Sequence, residues 1–163
     1  MRVYIPATVP MLRAFVDSGE LAPVTGTAFA LTPALRESYA AGDTEELEYA
    51  AMLDAARASL RLLAADEKAE PRRAVLAVDV DDVTLRPDLD FSVVKVGGSF
   101  TLKDVAAVHL DTAEAEQDVR AAVDVIDAAD LGDPDAEFAL GSAEDHELAW
   151  YAAQELPFVL ELL

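Results

Sequence analysis

The chain has 163 residues, which fits one domain, and folding at that size buries about 70% of the surface an unfolded chain exposes. Its 32 acidic residues against 12 basic ones give a net charge of −20 on a sequence that is nonetheless 53% hydrophobic. Such a carboxylate surface repels phosphate backbones and anionic membranes, so neither nucleic acid nor membrane is an expected partner; with no cysteine there is no disulfide frame, thiolate metal site or cysteine nucleophile.

Arg2 to Pro6 alternates as a strand, with Val3 and Ile5 on one face and Tyr4 on the other, and a short helix from Pro10 to Asp17 closes at Ser18-Gly19. This start lacks the charged and apolar regions of a secretory signal, which makes the cytoplasm the expected compartment. Thr27 to Leu31 reads as a second strand. Thr32 as N-cap and Pro33 at the first helical position then open a short helix to Tyr39. The longest helix is expected from Thr44 to Leu63. Asp43 and Glu46 have capping-box spacing, and Tyr49, Leu53, Ala56, Leu60 and Leu63 recur at helical steps as a buried stripe.

After a charged linker, Asp66 to Arg72, the run Ala74 to Val80 is apolar until its end, as a central strand covered on both faces would be. Val93–Val96 and Phe100–Leu102 flank Gly97-Gly98, which predicts a two-residue hairpin, while a helix lying between strands predicts at least one parallel pair. Val105 to Leu110 is a further strand, leading into a helix capped by Asp111 with Ala115, Val119, Ala122 and Ile126 buried. Leu131 to Pro134 is a loop, and the stretch around Phe138 and Leu140 fits either element. A last helix is expected after Ser142, with Leu148, Tyr151, Ala152 and Leu156 on one side. The elements add up to the α+β class: a single domain over residues 1–163, a mixed sheet of about five strands packed with a long central helix and two C-terminal helices.

The sharpest chemical signal is Asp79-Val80-Asp81-Asp82-Val83-Thr84, directly off the apolar strand. Two aspartates so placed could hold magnesium, with Asp79 as nucleophile toward phosphate and Asp81 as acid/base, an arrangement resembling the motif of haloacid-dehalogenase-type phosphotransferases. That family needs a multi-strand Rossmann-like core after the motif, and only 79 residues follow Thr84. A solvated acidic connection is the favoured reading. His109 belongs to a strand as a hydrogen-bonded sheet residue. His146, Trp150 and Gln154 follow at helical spacing and form a candidate recognition or stacking patch. Two histidines without matching carboxylates do not make a metal site, and no cofactor is implied. Tyr4, Tyr39, Tyr49 and Tyr151 lack the basic groove that nucleic-acid stacking requires.

Charge is unevenly spread: Asp111 to Glu147 holds 13 acids and one base, Arg120. That stretch is either a solvated outer layer or an acidic face for a basic partner. The apolar C-terminal segment, Leu156 to Leu163, must dock, on the chain's own core or on a second copy or another protein.

Several blocks in order carry a resemblance: Val3–Thr8, Thr32–Glu37, Glu45–Ala51, Ala56–Arg61, His146–Tyr151 and Gln154–Pro157. Together they resemble an actinobacterial protein family of unknown function, over nearly the whole chain. Nine arginines against three lysines fit such a GC-rich source. The resemblance implies no catalytic residue. The leading expectation is therefore a non-enzymatic acidic protein-interaction or regulatory module, and the alternative is a small magnesium-dependent phosphate-processing enzyme using Asp79 and Asp81.

Overall fold

The structure, a computed structural model, describes residues 1–163. Strand β1 (Arg2–Ala7) runs into helix α1 (Val9–Ser18), which Thr8 caps and Gly19 closes at φ +87°, a left-handed conformation that favours glycine. Strands β2 (Glu20–Leu21) and β3 (Thr27–Phe29) follow, then α2 (Pro33–Ser38) behind its cap Thr32. The 21-residue α3 (Thr44–Ala64) starts where Asp43 accepts the Glu46 amide at 2.8 Å. Next come β4 (Ala74–Asp79), β5 (Val83–Leu85), β6 (Val93–Val96), β7 (Phe100–Thr101) and β8 (Val105–Leu110). Helices α4 (Glu116–Asp130) and α5 (Pro134–Glu144), strand β9 (Ala149–Tyr151) and helix α6 (Leu156–Glu161) complete the chain.

Seven strands form one sheet in the order β5-β6-β3-β1-β4-β8-β9, every neighbouring pair antiparallel, and β2 pairs with β7 apart from it. The α+β class stands, with seven strands instead of about five. No parallel pair forms. The α2–α3 segment does join two strands of the same direction, β3 and β4, but β1 lies between them and takes the hydrogen bonds of both. The α4–α5 hairpin then returns the chain, so β8 and β9 become antiparallel neighbours.

The Gly97-Gly98 hairpin is also absent. β6 already has β3 and β5 at its two edges, and the next strand leaves for β2, where the Phe100 ring meets Phe15 edge-on at 5.5 Å. Gly97 lies against the exposed Asp82 carboxylate, which would have to swing aside for a Cβ at that position.

Alternation along the strands sorts the side chains onto two faces. Val3, Ile5, Leu76, Val78, Val108 and Leu110 share one core with Leu12 and Phe15 of α1 and Leu156 and Leu160 of α6. The C-terminal segment thus docks on the chain's own core, while Phe158 and Leu162 stay exposed. Tyr4, Phe29, Val75, Ala77 and Ala107 belong to the opposite core, beneath α3. Leu60 and Leu63 of α3 meet Val119, Ile126 and Leu140 of the α4–α5 pair in a third cluster. No helix is long and apolar enough to cross a membrane.

On α3 the expected stripe holds at Ala56, Leu60 and Leu63, but Tyr49 and Leu53 are exposed. Leu47, Ala51 and Ala55 take their place, because small side chains let the helix approach the sheet closely. Ser59 is fully buried between helix and sheet: its hydroxyl donates to the Ala7 carbonyl at 2.7 Å and accepts the Ala74 amide at 3.1 Å. The rotation of the stripe turns Tyr49 and Leu53 outward.

Candidate functional site

The register of β4 against β8 sets Ala74 opposite Leu110, so Arg73 and Asp111, one residue outside each strand, lie side by side. Asp111 is therefore not the helix cap its sequence position suggests. Its Oδ2 accepts from the Arg73 amide and from Nε, each at 2.8 Å, and its Oδ1 accepts from Nη2 at 2.8 Å. The side chains are 2% and 0% exposed. Removing two charges from water costs several kcal/mol each, which a filled fork of charge-assisted hydrogen bonds offsets. Nη2 also donates to the His146 carbonyl at 2.9 Å, tethering the segment that leads into β9.

β9 places Trp150 opposite His109 of β8. The two face Tyr49 and Met52 of α3 across a groove of about 660 Å³, with Tyr4, Glu45 and Glu48 along its length. A continuation of about 220 Å³ shares Tyr49, Met52, His109 and Trp150 and reaches Arg73, His146 and Glu147. Trp150 is 61% exposed and Tyr49 48%. Phe15 and Phe100 are the one pair of aromatic rings in contact, so the rings in the groove are not stacked on one another.

Electrostatically the groove is acidic. Glu48 Oε2 accepts from the Tyr4 hydroxyl at 3.1 Å, and that hydroxyl is pushed up to about 12, first by burial and then by the Glu48 charge. No ion pair engages Glu45, Glu48 or Glu147. The cation nearest the continuation, Arg73, is already neutralised by Asp111. His109 is half-buried, and burial alone pushes its imidazole below the ordinary histidine value.

Of the residues singled out by sequence, His146 and Trp150 both line the continuation of the groove, though not from a helix. Aromatic β9 replaces the expected last helix, and α5, capped by Asp133 on the Ala136 amide, ends before them. The His146 ring bonds Asp118 Oδ2 at 2.8 Å through Nε2. Gln154 lies in a 3-10 turn, Ala153–Glu155, exposed and outside the groove lining.

The Asp79 carboxylate is forked onto Arg2, with Nε at 2.7 Å and Nη2 at 3.1 Å, and this hydrogen-bonded contact holds it below the usual carboxylate range. Its lone pairs therefore face a guanidinium. Asp81 is exposed, and nowhere do three or more Asp, Glu or His side chains come together as a metal site.

Sequence reading did not single out the Arg73–Asp111 pair or Glu45, Glu48 and Tyr49 as parts of one site. The pair was signalled by an arginine just before one apolar strand and an aspartate just after another. Only the antiparallel pairing turns those two positions into neighbours.

The model of DUF6912, described as a family of unknown function, matches residues 1–160. No curated protein and no solved structure matches the chain.

Proposed function

The chain belongs to DUF6912, a family of unknown function, and on that premise we propose that it is a non-enzymatic interaction module whose recognition site is the groove between α3 and β9. One observation carries the reading: the single tryptophan of the chain, 61% exposed, shares a groove with a half-exposed tyrosine and three carboxylates that make no ion pair. Large aromatic side chains left in water at a concave site are the residues that dominate binding energy when a partner covers them. His109 there has no hydroxyl or carboxylate in hydrogen-bond contact to make a proton relay, which favours recognition over catalysis.

The acidic 111–147 stretch supports the site less directly. Four of its thirteen acids already face cations of the same chain: Asp111 meets Arg73, Glu116 meets Arg72, and Asp130 and Glu137 meet Arg57, while Asp118 bonds the His146 ring. The test is capture of a partner from extract of the source cells on immobilised wild type and on Tyr49→Ala/Trp150→Ala. The proposal expects one protein retained by the wild type alone, with or without a chelator. Equal retention by both chains, or retention that the chelator abolishes, overturns it.

A further inference from the structure

Resting on the groove as the recognition site, we infer that its occupant is an arginine side chain presented by a partner polypeptide. Three features converge on that chemistry. Trp150 and Tyr49 offer aromatic faces that no other ring of the chain covers, and a guanidinium stacks on such faces. Glu45 and Glu48 stand on α3 along the same groove, and Glu147 at its continuation, with no ion pair made to any of them. The one arginine lining the groove, Arg73, is turned inward onto Asp111 and the His146 carbonyl, so the groove has no cation of its own free to fill it.

Arginine fits this arrangement better than lysine. Its flat fork can lie on an aromatic face while its edge donates to a carboxylate, whereas an ammonium is a compact point charge. Long-range attraction from the net charge of −20 brings any basic segment near, and the groove then discriminates by shape and stacking.

The test selects random heptapeptides against the full chain and counter-selects against Tyr49→Ala/Trp150→Ala, at about 150 mM salt so that remote charges are screened. Selected peptides are expected to be rich in arginine. Replacing that arginine by neutral, isosteric citrulline should weaken binding about tenfold or more. Glu48→Gln should weaken the arginine peptide several-fold and leave the citrulline peptide unchanged, while Asp135→Asn, an exposed acid of α5 outside the groove lining, should change neither. Peptides that need Tyr49 and Trp150 but carry no excess of arginine, or lose nothing on exchange to citrulline or lysine, overturn the arginine assignment and leave the groove standing. Absence of any peptide that depends on the two aromatics overturns both.

Discussion

Asp130 and Glu137 of the α4–α5 layer and the carboxylates of the groove have the same chemistry and opposite neighbours. Along the layer, α3 sends Arg57 and Arg61 across to Asp130, at 3.1 and 2.8 Å, and Arg57 on to Glu137 at 3.0 Å. That network is half-exposed and internal to the chain. In the groove, fed by the other half of the same helix, Glu45 and Glu48 make no ion pair. A segment's net charge therefore says little about where a partner binds; what counts is which carboxylates folding has left unmatched beside exposed aromatic surface.

The contrast can be broken most severely at the buried end of the series. Asp111→Asn leaves Arg73 charged and unpaired inside the protein and should cost about 3–5 kcal/mol, read as a large drop in the thermal midpoint. The double change Arg73→Met/Asp111→Leu should recover most of that loss. A single variant as stable as the wild type would contradict the scaffold role given to the pair.

Asp130→Asn frees both Arg57 and Arg61 at a partly exposed site and should cost about 1 kcal/mol, less in 1 M salt. A salt-independent loss would mean that packing, not charge, holds the layer to α3.

His109 supplies a pH test inside the groove. Its folded value lies below its unfolded value because burial disfavours the imidazolium, so the unfolded chain binds the proton more readily. Its contribution to stability is therefore fully present above the unfolded value of about 6.5 and is lost as pH falls from there through the lowered folded value. His109→Gln should flatten that part of the stability–pH curve relative to wild type, and an identical curve would refute the buried, neutral imidazole. The smallest effect belongs to Glu45→Gln, which removes an unpaired surface charge and should leave unfolding free energy within about 0.5 kcal/mol of wild type. A loss well beyond that would show that Glu45 already has a structural partner.

Much of this architecture is legible in the chain because local signals and tertiary demands agree. Asp43 with Glu46, Thr32 with Pro33, and the all-apolar run from Ala74 each specify a cap or a buried strand by short-range chemistry that the fold keeps. Asp133-Pro134 carries the same start signal as Thr32-Pro33, and α5 begins there, although the small residues behind it blur the helical period. Where the reading failed, longer-range packing decided. Gly97-Gly98 has the composition of a hairpin, but Phe100 is buried against Phe15 and β6 has no free edge. Leu148 and Tyr151 sit at a helical step that suggests one shared face, but β9 begins after Leu148, which packs against the core beneath α3 while Tyr151 packs against the core of α1 and α6.

His146, Trp150 and Gln154 stand out in the sequence by a helical spacing that the fold does not keep; His146 and Trp150 both line the continuation of the groove, and Gln154 lies outside it. Tyr49 falls on the apolar stripe by spacing alone, but Ala51 and Ala55 face the core and leave Tyr49 exposed. Asp79 and Asp81 stood out because the motif is short and the chain is full of aspartate, and Arg2, 77 residues away, is what occupies Asp79.

The most direct test of the central claim follows the emission of Trp150, the only tryptophan, while the selected heptapeptides are titrated into wild type, Tyr49→Ala and Asp135→Asn, with calorimetry run in parallel. A saturable spectral change is expected in the wild type and in Asp135→Asn, tracking the heat of binding, and is expected to be lost in Tyr49→Ala. Binding heat with an unchanged Trp150 spectrum would place the partner elsewhere on the surface and contradict the groove as the recognition site.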